Sequence, residues 1–133
     1  MELRDAILRN DVCEVFNHIY SSDNPFGSND PVDFTLLAMN NFANHAKSSG
    51  HLDDADPAEV NALSIFHKVF QHSLRKASMH IFLCAIERNL QLIVEYVFDY
   101  IREELSESDR QMALDKSNGD LRLWLENAFR TDP

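Results

Sequence analysis

A chain of 133 residues is long enough to bury a core without metal or disulfide staples and short enough to form a single domain over residues 1–133. Its hydrophobic fraction of 44% and nine Phe argue against disorder of the whole chain. Twelve basic and twenty-two acidic residues give a formal charge of 12 − 22 = −10, which repels phosphate backbones and anionic membranes and sets both aside as partners.

With three Gly and four Pro, and long stretches rich in Leu, Ala, Glu, Arg and Asn between them, helices are favoured over strands. From Leu3 to Tyr20, Leu3, Ala6, Ile7, Val12, Val15, Phe16 and Ile19 recur at helical spacing. Asn10 and Asp11 interrupt them with turn-forming side chains, so the segment reads as a short helix, a tight turn and a second helix. Ser21 to Asn29, with its Asn-Pro and Phe-Gly pairs, is a loop.

Asp30-Pro31-Val32-Asp33 offers a cap, a proline at the first helical position and an acid at the positive helix end, which predicts a helix through Phe34, Leu37, Ala38 and Phe42. Lys47 to Gly50 should end it, and His51 to Asp56 reads as an acidic surface loop. Asp56-Pro57-Ala58-Glu59 repeats the start signal with Glu at the capping-box position. An apolar stripe of Val60, Leu63, Phe66 or His67, Phe70 and Leu74 follows.

Between Ser78 and Leu105 apolar residues are too dense for one helix face, which marks the centre of the core. Asn89 is placed to break this segment as Asn10 breaks the first. Ser106-Glu-Ser-Asp109 is a cap for a further helix, Asn118-Gly119 a turn, and Leu121 to Phe129 a last amphipathic helix with the only Trp. Thr131 to Pro133 reads as a frayed end. Cys13 and Cys84 fall in apolar helical patterns, where thiols are buried as small hydrophobes. Without a Cys-x-x-Cys pair or an apolar leader, a reducing, cytosol-like compartment is expected, with secretion by a non-standard route left open. No apolar run reaches the length of a membrane span.

Three segments align with one another. Leu3-x-x-Ala6-Ile7-Leu8-Arg9-Asn10-Asp11-Val12-x-x-Val15-Phe16-x-x-Ile19 pairs with Phe82-x-x-Ala85-Ile86-Glu87-Arg88-Asn89-Leu90-x-x-Ile93-Val94-x-x-Val97, which in this alignment lacks one turn residue. A looser copy runs from Ala113 through Asn118-Gly119 to Leu121, Trp124, Leu125 and Ala128. This pattern of a small residue on a first helix, a polar turn and a paired apolar stripe resembles the helical half of an ankyrin repeat. The family's Thr-Pro-Leu-His and Gly-Ala-Asp-Val-Asn segments are missing, so two all-α architectures stand side by side. One is an ankyrin-like array of stacked helix-turn-helix hairpins, the other an irregular bundle of about six to eight helices.

The resemblance implies a partner-facing surface at the residues between the Ala pair and the turn. By position these are Leu8 and Arg9, Glu87 and Arg88, and Asp115 and Lys116. Leu8 would be an apolar anchor if exposed.

Catalytic and metal readings find little support. His67 and His72 are five apart and diverge on a helix, whereas metal pairs need a spacing of three or four. His18 and His80 sit among apolar neighbours as edge residues. His51 to Asp56 lacks the Gly and terminal Glu of a calcium loop. Glu103 and Glu104 read as a solvated face, and Arg75 with Lys76 as a solvated helix end. Gly27, Gly50 and Gly119 are isolated and build no phosphate loop, so neither cofactor nor metal is expected.

The expectation is therefore a non-enzymatic protein-binding adaptor or regulatory module, with Phe26, Tyr96, Tyr100, Trp124 and Phe129 as candidate interface aromatics. The alternatives are a self-associating subunit, with the Ile81 to Ile101 surplus buried in a homodimer, and an enzyme of unfamiliar type. In general character the chain also resembles bacterial effector and viral accessory proteins, which would place it in a host cytoplasm.

Overall fold

A computed structural model of the chain describes residues 2–27, 30–45, 57–73 and 78–131. The described residues are all-helical, with eight helices and no strand: α1 (Leu3–Leu8), α2 (Val12–Tyr20), α3 (Pro31–His45), α4 (Pro57–His72), α5 (Ser78–Glu87), α6 (Gln91–Ile101), α7 (Glu107–Lys116) and α8 (Gly119–Thr131). They fall into two compact units, Met1–Ala77 and Ser78–Pro133. Lys47 to Asp56, read as a helix stop, an acidic loop and a cap, and Leu74 to Lys76, read as the end of an apolar stripe and a solvated helix end, lie outside the described residues, as do the two residues after Thr131, which itself closes α8 rather than fraying.

In the first unit, α3 and α2 pack on α4, and α1 packs on α2 and α3. Helix α4 is the hub because its buried set, Glu59, Ala62, Leu63, Ile65, Phe66, Val69 and Phe70, is wider than one stripe. Phe66 and Phe70 stack on that face with ring centroids 5.7 Å apart. Each fully buried aromatic of this kind contributes roughly 1.5–3 kcal/mol by leaving water. Val60, expected in the stripe, is instead 39% exposed. The buried face is turned toward Glu59 and Ala62, and Val60 falls on the outer side of the first turn.

Helix α3 is rotated in a similar way. Its buried face is Thr35, Ala38, Met39, Asn41 and Phe42, while Phe34 and Leu37, also expected on this helix, are only partly covered. Thr35 can be buried because its hydroxyl donates to the Pro31 carbonyl at 3.1 Å. The cap works as expected, with Asp30 Oδ1 accepting from the Val32 N–H at 3.0 Å.

In the second unit α5 packs on α6, and α7 packs on α5 and α8. Ile81, Phe82, Ala85, Ile86, Ile93, Val94, Val97, Phe98 and Ile101 are all buried. Most of the apolar surplus between Ile81 and Ile101 is thus taken up within the chain, while Leu83 and Leu92 are only partly covered. Ser106 and Asp109 form a reciprocal capping box at the start of α7, with bonds of 3.0 and 3.1 Å.

The two best-aligned hairpins share one turn. At Asn10 the chain turns left-handed with φ 58°, and at Asn89 with φ 57°. Asn10 N–H donates to Ile7 and Asp11 N–H to Ala6; Asn89 N–H donates to Ile86 and Leu90 N–H to Ala85. This is the Schellman closure, which satisfies carbonyls that a helix end leaves open. The hairpins are therefore in step residue for residue, and the one-residue deletion ascribed to the second does not exist. Leu90 occupies the place of Asp11, and Val94 the place of Val15. The entry to the second helix differs. Asp11 caps α2 through the Glu14 N–H at 3.2 Å, whereas Leu90 caps nothing and is buried. The third hairpin closes otherwise, with Ser117 extended and Gly119 at φ 59°.

Candidate functional site

The residues singled out by the hairpin alignment are all on the surface. Leu8 is 54% exposed, and Arg9, Glu87, Arg88, Asp115 and Lys116 are exposed as well. Leu8 and Arg9 end α1 in the first unit, and the other four belong to the second. Within the second unit, Glu87 and Lys116 meet in an ion pair of 2.6 Å. The Lys116 pKa is raised by this hydrogen bond and by the Glu87 charge. Asp115 accepts from Gln111 Nε2 at 2.9 Å. Glu87, Asp115 and Lys116 of this predicted set are thus engaged within the chain.

The turn behind Leu8 and Arg9 is tightly held. Asn10 Nδ2 donates to the Ala58 carbonyl at 2.9 Å, and its Oδ1 accepts from buried Asn41 Nδ2 at 2.9 Å. One side chain thereby ties the end of α1 to α3 and to the start of α4. Sequence periodicity has no means of showing such a bond, since a polar turn residue gives no sign of which distant carbonyl it meets.

The expected interface aromatics are engaged internally. Phe26 is buried, its ring 5.3 Å from that of Phe34. Trp124 and Phe129 lie against Phe98 at 5.6 and 5.8 Å, and Tyr96 and Tyr100 pair at 5.1 Å with their hydroxyls 3.2 Å apart. On the surface of the first unit, Lys68 sits over Phe16 and Tyr20 at 5.2 and 5.0 Å and donates to the Tyr20 hydroxyl at 2.6 Å. That group holds α2 to α4 by cation–π attraction.

Neither cysteine is deeply buried. Cys13 is exposed, against expectation, because it lies opposite Val15 and Ile19, the buried face of α2. Cys84 is half-covered, with Sγ 3.6 Å from His80 Nε2. Burial and the Glu87 carboxylate raise its thiol pKa, which lowers its nucleophilic fraction. No group of three or more His, Cys, Asp or Glu able to hold a metal occurs among the described residues. No helix described is long and apolar enough to cross a membrane.

A groove in the first unit, missed in the sequence, encloses about 750 Å³. Helix α1 contributes its first residues Leu3 and Arg4 with preceding Glu2, and α2 contributes His18. The turn from Asn24 to Gly27 and the outer face of α3, Asp33, Phe34, Leu36, Leu37 and Asn40, complete it. The turn is self-braced: Gly27 N–H donates to the Asn24 carbonyl at 3.1 Å, and Asn24 Nδ2 donates to that of Gly27 at 3.0 Å. Gly27 sits at φ 62°, where a side chain would be strained.

Leu3, Phe26, Phe34, Leu36 and Leu37 give the groove an apolar floor. The side chains of Glu2, Arg4, His18 and Asp33 on its rim make no hydrogen bond or ion pair among the described residues. The signal in the sequence was the run Phe34 to Leu37, which holds more apolar surface than one buried stripe can use.

Comparisons with known family models, with curated proteins and with solved structures find no match to this chain.

Proposed function

We propose that this chain is a protein-binding adaptor or regulatory module whose first unit takes a short peptide segment of a partner in the groove along α3. The observation that carries the reading is an apolar floor beside the charged side chains of Glu2, Arg4 and Asp33, which have no partner among the described residues. An apolar segment flanked by an acid and a base would lose water against Phe34, Leu36 and Leu37 and meet Arg4, Glu2 and Asp33 at the rim. A catalytic site would call for hydrogen-bonded polar groups converging on one point, and the side chains of Glu2, Arg4, His18 and Asp33 make no such bonds among the described residues.

The hairpin tip at Leu8 and Arg9 is a second contact surface in this reading. Leu8 is exposed, and the turn beside it is pre-organised by the Asn10 bonds, so little ordering entropy opposes binding there. The ankyrin likeness belongs to the same proposal: α1–α2 and α5–α6 would be copies of that family's helical hairpin, and their shared turn supports it. Two free thiols, one of them exposed, fit the reducing compartment assigned to it.

Panning a display library of random short peptides against the protein tests the reading. Selected peptides should carry bulky apolar residues between opposite charges. Leu37→Asp should abolish their binding while leaving the helical circular dichroism unchanged. Binding lost instead by Leu8→Ser with Arg9→Ala would move the site to the hairpin tip. A library that yields nothing, together with a dimer mass in solution, would replace the adaptor by the self-associating subunit.

A further inference from the structure

Asn118-Gly119 is the junction between α7 and α8, and both residues are exposed. Neither the Asn118 carboxamide nor the Gly119 N–H makes a hydrogen bond among the described residues. Gly119 has a positive φ of 59°, and the space where a Cβ would stand is open to 4 Å. No neighbouring atom thus stands where a side chain at position 119 would, and the Gly119 nitrogen keeps its proton free of any described acceptor.

We propose that Asn118 is a site of spontaneous deamidation in the folded protein. The lone pair of the Gly119 nitrogen attacks the Asn118 side-chain carbonyl carbon, and the N–H proton passes to solvent base. The C–N bond to the side-chain amine breaks as that nitrogen takes a proton from solvent, ammonia leaves, and a five-membered succinimide remains. Water then opens the ring. Cleavage on the side-chain carbonyl gives aspartate, and cleavage on the main-chain carbonyl gives isoaspartate with the backbone routed through Cβ. Each route replaces a neutral amide by a carboxylate and adds one negative charge beside Asp120.

The same chain holds its own controls. Asn10 and Asn89 also stand at left-handed turns, but the nitrogens that follow them, of Asp11 and Leu90, donate to Ala6 and Ala85. The Asn10 carboxamide is bound at both ends as well. Asn24 precedes Pro25, whose nitrogen carries no proton and forms no neutral succinimide. Asn17, Asn40, Asn41, Asn44, Asn61 and Asn127 lie in helices, where following N–H groups are bound in the helical ladder.

The two products differ in effect. Aspartate at this position favours the start of α8, since a carboxylate is welcome at a positive helix end. Isoaspartate adds a backbone carbon in the tight α7–α8 connection and disturbs it.

The experiment is to hold the full-length folded protein in mildly alkaline and mildly acidic buffer, with a urea-unfolded sample alongside. Isoelectric focusing and tryptic mapping then follow the peptide that Lys116 and Arg122 bound. The expected result is a more acidic species that accumulates faster at alkaline pH. It should map to Asn118 ahead of every other described asparagine, at a rate within a fewfold of the unfolded chain, and be lost in Asn118→Gln. Conversion slowed by an order of magnitude or more on folding, or another described asparagine converting first, would overturn the proposal.

Discussion

Asn10 and Asn89 occupy the same backbone conformation, yet the structure asks different things of their side chains. A left-handed residue with a Cβ costs roughly 1 kcal/mol relative to glycine, a cost that asparagine tolerates better than most. Asn89 makes no side-chain bond among the described residues, so Asn89→Gly should be neutral or stabilising by up to about 1 kcal/mol in urea denaturation. Asn10→Gly meets the same turn but removes both bonds to Ala58 and Asn41. It leaves a buried donor of Asn41 unsatisfied, and the expected loss is about 1–3 kcal/mol. Equal effects of the two substitutions would contradict the latch described for Asn10. The neighbouring cap gives a second contrast: Asp11→Ala should cost about 1 kcal/mol through the lost Glu14 bond.

At the scale of elements, caps and turns decide where each helix begins and ends. Ser106→Ala removes the acceptor for the Asp109 N–H and half of the capping box. It should cost about 0.5–2 kcal/mol, read as a lowered thermal midpoint. Such local devices were legible in the sequence. Pro31 after Asp30, Pro57, Asn10, Asn89 and Ser106 each name their own role within a few residues, and the eight helices fall within the six to eight expected. The direction each face points was less legible. Helix α3 carries apolar residues at Phe34, Leu36, Leu37, Ala38, Met39 and Phe42, and a 3.6-residue period admits more than one face through them. Packing on α1 and α4 chose Ala38, Met39 and Phe42 and left Phe34, Leu36 and Leu37 to line a groove. The aromatics misled for a related reason: bulky rings suit an interface and a core equally well, and only contacts such as Phe98 with Trp124 tell the two apart.

For the whole molecule, acid should destabilise the fold through a specific residue as well as through general charge. Burial on α4 lowers the His67 pKa from 6.5 to about 4, since the imidazolium loses water there. The unfolded chain therefore binds the proton more readily than the folded one. Stability from this group is present above pH 6.5 and is lost as pH falls toward about 4. Allowing for the part of the ring that solvent still screens, the loss amounts to about 1–2 kcal/mol. His67→Gln cannot take up this proton, so its stability should fall less between those limits, as urea midpoints at each pH would show. The two units add a consequence for any such measurement. The single Trp124 lies in the second unit, against Phe98. Its fluorescence thus follows the packing against Phe98 in that unit, while far-ultraviolet dichroism weighs the helices of both halves. Coincident midpoints from the two signals would mean one cooperative transition, and separated midpoints would reveal halves that melt independently.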